Sequence, residues 1–213
     1  MKISRYGEEA IRILFGDKID LEIHDKVRRY YFFLKSLQLE EITDIIPSFR
    51  SCLIIFDRRK TSYEALRASL QDKEFLIAHI EIPEPETHDV PVEYGGESGF
   101  DIDFVASHTG LSEDKIIEVH TSVTYKVFAV GFLPGFPYLG ILDQRLYVPR
   151  LETPRLKVPE GSVGLAQLQT GIYPFESPAG WRIIGRTNKK LFDYSEEPYS
   201  IFQIGDEVRF IRA

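Results

Sequence analysis

The chain has 213 residues, of which 43% are hydrophobic and 28% charged, and its formal net charge is −7 at pH 7. That length accommodates one large domain or two small ones with a real core, and the composition is that of an ordinary globular protein. The acidic balance argues against a nucleic-acid surface, which draws on clustered Lys and Arg, and no run of about eighteen apolar residues is available to span a membrane.

The opening segment, Met1-Lys-Ile-Ser-Arg-Tyr-Gly-Glu-Glu9, lacks the apolar core and cleavage site of a secretory signal, so a cytoplasmic location is expected. In Ala10 to Phe15, the apolar residues Ile11, Ile13 and Phe15 recur at the strand period of two. Ile23, Val27, Tyr30, Leu34 and Leu37 then recur at steps of three and four, which predicts a helix with one apolar stripe. Extended segments follow at Ile42 to Ile46 and Ser51 to Phe56, the second an apolar run of the kind found in buried strands. The only cysteine, Cys52, sits in that run and reads as a packing residue rather than a nucleophile. The basic cluster Arg58-Arg59-Lys60 reads as solvated surface. Thr61-Ser-Tyr-Glu64 matches a capping box, and Tyr63, Leu66 and Leu70 supply the buried face of the helix it starts. With Phe75 to Ile82 taken as a closing strand, the order is strand, helix, strand, strand, helix, strand, which predicts a small ferredoxin-like α/β domain over residues 1–87. Pro83 to Asp89 reads as an extended linker with His88 as a solvated residue within it.

Residues 88–213 have a different character. A short helix is expected from Asp101, with Phe104, Val105 and His108 on one face and Gly110 as its stop, and a second is capped by Ser112. From Tyr125 onward, short apolar segments (Lys126 to Val130, Arg182 to Ile184, Glu207 to Ile211) are separated by Gly and Pro, as in a compact β-barrel. The predicted class is therefore α+β, a ferredoxin-like domain followed by a barrel.

Chemistry concentrates between Gly131 and Trp181. Gly131-Phe-Leu-Pro-Gly-Phe-Pro-Tyr-Leu-Gly140 is rich in residues that fix unusual backbone geometry and supply flat surfaces; it reads as a rigid wall of a pocket or as a tight loop that packs its own aromatics. Pro149-Arg150 and Pro154-Arg155 hold two guanidinium groups that would grip a carboxylate or phosphate or form surface ion pairs. Gln169-Thr-Gly171 sets an amide and a hydroxyl beside a glycine. Gly161-Ser-Val-Gly164 is no P-loop, because the required lysine is missing. His120, near the end of the second predicted helix, is either a proton-transfer group favoured as imidazolium by the helix C-terminus or a structural residue. His24, His79, His88, His108, His120 and Cys52 show no metal-ligand spacing, and Gly-x-Ser-x-Gly does not occur.

Taken in order, Val92-Glu-Tyr-Gly-Gly96, Val119-His-Thr121, Gly131 to Gly140, Pro149-Arg150, Gly161 to Gly164, Gln169-Thr-Gly-Ile-Tyr-Pro174 and Ile184-Gly-Arg-Thr187 resemble the allophanate hydrolase subunit 1 family. The resemblance implies that the barrel is cyclophilin-like. It also implies work as the B subunit of an ATP-dependent 5-oxoprolinase that converts the cyclic amide 5-oxoproline to glutamate together with subunits A and C. ATP would be used by the complex, and the isolated chain would be inactive. Carried onto this sequence, the matching positions are His120, Phe132, Pro134, Gly135, Phe136, Tyr138, Arg150, Arg155, Gln169, Thr170, Gly171 and Tyr173. His120 is expected to transfer or orient a proton, Gln169 and Thr170 to hydrogen-bond the lactam amide, and an arginine to pair with the substrate carboxylate. Gln167 and Ala179 depart from the pattern by standing where glycines are expected. An alternative within the same family is a KipI-like inhibitor that docks on a sensor histidine kinase and blocks autophosphorylation, with the aromatic wall as the interface. A prolyl isomerase rests on fold analogy alone.

Overall fold

The computed structural model describes residues 1–213 and divides them into two units, Met1–Glu84 and Pro85–Ala213. In the first, β1 (Lys2–Arg5) forms an antiparallel hairpin with β2 (Ala10–Leu14), which is followed by α1 (Leu21–Leu37), β3 (Ile42–Pro47), β4 (Ser51–Phe56) and α2 (Tyr63–Asp72). The sheet order is β1-β2-β4-β3. Alternation along the strands sends Ile11 and Ile13 of β2 and Ile54 and Phe56 of β4 to one face, where Tyr30, Phe33 and Leu34 of α1 and Leu66 and Leu70 of α2 cover them. Asp20 starts α1 by accepting the Glu22 and Ile23 N–H groups at 3.0 and 3.3 Å.

Several local expectations are corrected here. Ser62, rather than Thr61, caps α2 by accepting the Ala65 N–H at 3.1 Å. Burial along β4 alternates because helices cover only one side of this sheet. Phe75 to Ile82 is not a strand: Glu74–His79 forms a 3-10 helix and Phe75 is 70% exposed. Leu76, Ile77 and Ile80 recur at helical steps and pack onto the core, while the edge of β2 that a closing strand would need is occupied by β1. The element order therefore differs from the ferredoxin-like expectation at both ends.

Cys52 is fully buried with its Sγ 3.7 Å from the Val27 carbonyl, and burial pushes the thiol up to about 12. Because the thiolate is the reactive form, Cys52 is expected to resist a disulfide reagent such as DTNB at pH 8 in the folded protein and to react stoichiometrically in denaturant. Rapid labelling of the native chain would refute this.

The second unit begins with β5 (Thr87–Tyr94), α3 (Ile102–Thr109) and α4 (Glu113–Thr121), and continues through β6 (Thr124–Val130), β7 (Pro137–Gly140), β8 (Arg155–Val158), β9 (Ser162–Ala166), β10 (Gln169–Ile172), β11 (Ser177–Ala179), β12 (Arg182–Arg186) and β13 (Glu207–Arg212). Seven strands close a barrel in the order β10-β7-β6-β13-β5-β12-β9, with β13 parallel to β5 and the remaining pairs antiparallel. The strands β8 and β11 form a separate two-stranded ribbon. The interior holds Val90, Val92, Val127, Leu139, Val163, Leu165, Ile172 and Phe210, and Ile102, Val105, Ile116, Ile117 and Val119 of the two helices join it. Thus α3 buries Ile102 and Val105, whereas Phe104 stacks on His108 at the surface. Gly110 ends α3 at φ 72°, and Ser112 caps α4 as expected.

His88 is likewise no linker residue. It lies in β5, because that strand pairs with β13 from Thr87 onward, and its Nε2 sits 3.3 Å from the Asp206 carboxylate. Asp206 also accepts the Glu86 and Gln203 N–H groups at 3.1 and 2.8 Å, which fastens the entry to the barrel. No helix in either unit is long and apolar enough to cross a membrane.

Candidate functional site

The turn from β6 to β7 is built for display. Its bonds run from the Gly131 N–H to the Phe136 carbonyl and from the Phe136 N–H to the Leu133 carbonyl, both at 3.0 Å. Gly135 has φ 81°, and a Cβ there would lie 2.8 Å from Phe192 Cβ, so glycine is required on both counts. Phe132 takes φ 72°, an unfavourable value for an aromatic residue, and stands 63% exposed while Phe136 is fully buried.

Phe136 is the hub of the site. Its ring makes edge contacts with Phe132, Tyr138, Tyr173 and Trp181 at centroid distances of 5.7, 4.9, 5.0 and 5.6 Å. Two glycines paired across β9 and β10 make room for the cluster, Gly171 for Phe136 and Gly164 for Trp181. A Cβ on Gly171 would meet Phe136 Cζ at 2.8 Å and the Pro137 carbonyl at 2.9 Å, and one on Gly164 would meet Trp181 Cβ at 3.1 Å.

Beside this cluster opens a cavity of about 270 Å³, lined by the aromatic residues Phe132, Phe136, Tyr138, Tyr173 and Trp181 and by Leu151, Pro154, Pro178, Ala179 and Gly180. Arg150 is the one charged residue in the lining; its guanidinium lies 5.7 Å from the Trp181 ring. Burial raises the Tyr138 and Tyr173 hydroxyls, so both stay neutral and can donate a hydrogen bond. The arrangement is a flat apolar slot with a cation at its mouth, a shape suited to a small ring carrying a negative group.

The structure thus brings together Phe132, Phe136, Tyr138, Arg150 and Tyr173 from the residues expected on sequence grounds, with Gly135 and Gly171 as supports behind them. Pro134 is exposed on the turn outside the lining. Arg155 points elsewhere: its Nη1 and Nη2 donate to the Asp101 carboxylate at 2.9 and 2.6 Å. Gln169 is buried on the same face of β10 as Gly171, with its Nε2 unpartnered.

His120 and Thr170 lie inside the barrel, away from the cavity lining. Thr170 Oγ1 donates to the Gly164 carbonyl at 3.1 Å, so it accepts from His120 Nε2–H at 3.0 Å, and His120 Nδ1 accepts the Tyr94 hydroxyl at 2.8 Å. Full burial, with the ring stacked on Phe210 at 4.4 Å, pushes the imidazole down to about 3. The imidazolium expected from the helix C-terminus is therefore not the native form: desolvation outweighs the helix dipole. His120 ties α4 and β5 to the strand that carries Gly171.

Residues 1–202 match the family described as the carboxyltransferase domain, subdomain C and D. The chain belongs to this family. The resemblance to the allophanate hydrolase subunit 1 family read from the sequence is borne out with it. The 5-oxoprolinase B subunit of Bacillus subtilis is 33% identical, covering 99% of this chain and 92% of that protein. The protein of the same name from Haemophilus influenzae is 40% identical, covering 86% of each. Among solved structures, TTHA0988 superposes with a TM-score of 0.84 at 31% identity over 96% of this chain, which spans 39% of that longer one.

Two departures from the expected motifs now have a place. Gln167 occupies the tight turn between β9 and β10 at φ 54°, a value that favours glycine, and Ala179 is buried in the cavity wall. Trp181, Leu151, Pro154, Pro178 and Gly180 do not stand out in the sequence as lining residues; the lone tryptophan directly after Ala179-Gly180 is the available signal. The Gly161–Gly164 segment does not fit a nucleotide phosphate. Its Gly161 N–H donates to the Tyr173 carbonyl at 2.8 Å, a Cβ on Gly161 would strike the Thr187 carbonyl, and the segment enters a buried strand rather than a helix N-terminus.

Proposed function

We propose that this chain is the B subunit of an ATP-dependent 5-oxoprolinase of the cytoplasm, acting with subunits A and C. The observation that carries the reading is the pairing of a flat aromatic slot with a single guanidinium, Arg150, that has no carboxylate in ion-pair range. The names of the two curated relatives supply the ring chemistry and favour this reading over the kinase-inhibitor alternative. In this account the planar lactam lies against Trp181 and Tyr138, and Arg150 binds its carboxylate by charge-assisted hydrogen bonds. The Tyr138 and Tyr173 hydroxyls orient the ring amide, and Phe132 and Leu151 screen it from water. Arg150 takes the carboxylate role because Arg155 is committed to Asp101. No nucleotide step is assigned to this chain, and ATP belongs to a partner subunit.

Two measurements test the reading. The isolated chain is expected to show no 5-oxoproline-dependent ATP hydrolysis, and the activity is expected to appear when subunits A and C are added. In that reconstituted enzyme, Arg150→Met should raise KM for 5-oxoproline by about 10-fold or more, the loss of a charged hydrogen bond. A complete set of intact subunits that shows no such turnover would sink the proposal.

A further inference from the structure

Pro178 and Ala179 of the β8–β11 ribbon line the cavity, and neither strand of the ribbon pairs with a barrel strand. Val158 and Ala179 pack into the aromatic cluster, and the Gly180 carbonyl accepts the Leu151 N–H at 2.8 Å. The remaining tie runs through Arg155, whose guanidinium lies 4.7 Å from the Phe100 ring and pairs with Asp101. Asp101, at the head of α3, is almost fully buried, and its carboxylate accepts both Arg155 donors as well as the Ile183 N–H of β12 at 2.7 Å. Its own N–H donates to the Ile183 carbonyl at 2.9 Å, and Arg182 Nη1 lies 3.9 Å from the same carboxylate. Asp101 is thereby fixed to the barrel through its backbone and its side chain, and Arg155 is its one partner on the ribbon.

Arg155 acts at the right place. In the ribbon it lies opposite Ala179 and directly follows Pro154, and both neighbours line the cavity, although Arg155 itself does not. The guanidinium on Asp101 therefore ties that stretch of the wall to the barrel through β12. We propose that the ribbon is a flap over the cavity and that Asp101 and Arg155 are a positioning pair that holds it closed over the bound ring. The idea rests on the reading that the cavity takes 5-oxoproline, but its first test does not.

Arg155→Met is the informative variant, because Asp101 keeps the Ile183 N–H and Arg182, and no buried carboxylate is left unpaired. Hydrogen exchange on the intact chain without ligand should show the Arg155–Val158 and Ala179 amides exchanging about 10-fold faster or more, with the β9 and β12 amides unchanged. Arg155→Lys, which keeps the charge but loses the paired geometry, should fall between the two. Adding Asp101→Asn to Arg155→Met should accelerate the ribbon amides no further, since one contact is being removed twice. In the reconstituted enzyme, Arg155→Met should raise KM for 5-oxoproline about 10-fold and change kcat less than about 2-fold, a split that a general loss of stability would not produce. Ribbon amides that do not change, or that accelerate together with the barrel amides, would overturn the flap. A wild-type enzyme that fails to turn over 5-oxoproline would sink the substrate reading, and the exchange result would still decide the flap.

Discussion

Replacing Phe136 with alanine is expected to lower the stability of the barrel unit by roughly 3–5 kcal/mol and to remove ligand binding with it. The ring is fully buried, touches four other aromatic rings, and fills the space that Gly171 leaves open. Deleting it leaves a void that Tyr173 and Trp181 are too constrained to fill. Gly171→Ala should produce a milder form of the same defect, about 1–3 kcal/mol, because the added methyl meets the ring on one side and the Pro137 carbonyl on the other. Phe132→Ala is the control: that ring is mostly in solvent, so the variant should weaken 5-oxoproline binding with little change in stability. Denaturant midpoints beside binding isotherms would separate the cases, and equal midpoints for wild type and Phe136→Ala would show that the hub assignment is wrong.

Acidification is expected to destabilise the protein through His120. Its folded value is pushed down to about 3, whereas the unfolded chain titrates near its ordinary 6.5. Between those values the unfolded state binds the extra proton, so stability is fully present above about pH 6.5 and falls as the pH drops, by up to about 1.4 kcal/mol per pH unit. Charging the ring in place would also reverse one of its two hydrogen bonds, since Nδ1 now accepts from Tyr94 and the hydroxyl would have to turn and accept instead. Asp57 and Asp143, held at about 2 by hydrogen bonds from Arg59 and Arg145, lose their favourable pairing only at lower pH and sit at the surface, where such pairs contribute little. Chemical denaturation at pH 7, 5.5 and 4 for wild type and His120→Gln isolates the effect. The variant should be less stable at pH 7 yet show a flatter dependence, and parallel slopes would exclude His120 as the source.

What can be read from the sequence and what cannot separate along physical lines. Strands at Ile11–Ile13 and Ser51–Phe56 and the stripe from Val27 to Leu34 are legible because their periodicity is local. The failure at Phe75 to Ile82 comes from competition for a sheet edge, which β1 wins from the other end of the unit. The aromatic run Gly131–Gly140 declares itself by composition, and the structure gives it the hub of the cavity. Arg150 and Arg155 look alike in sequence, each behind a proline; what separates them is Asp101, 54 positions before Arg155. The protonation state of His120 is hidden for the same reason: its environment is set by Tyr94, Thr170 and Phe210, none of them a near neighbour in the chain.

The parallel pairing of β5 with β13 governs when the cavity can exist. Thr87 and Glu207 are neighbours in the barrel although 120 positions separate them in the chain, and β13 also supplies the missing partner for β6. During synthesis every residue of the aromatic slot has left the ribosome before the strand that seals the ring emerges. Until then β5 and β6 carry bare edges and the apolar interior is open, a state prone to wrong pairings and slow to resolve because of its high contact order. A small molecule that binds the finished slot would therefore bind only barrels in which β13 is already in place, and ligand binding reports on closure of the barrel.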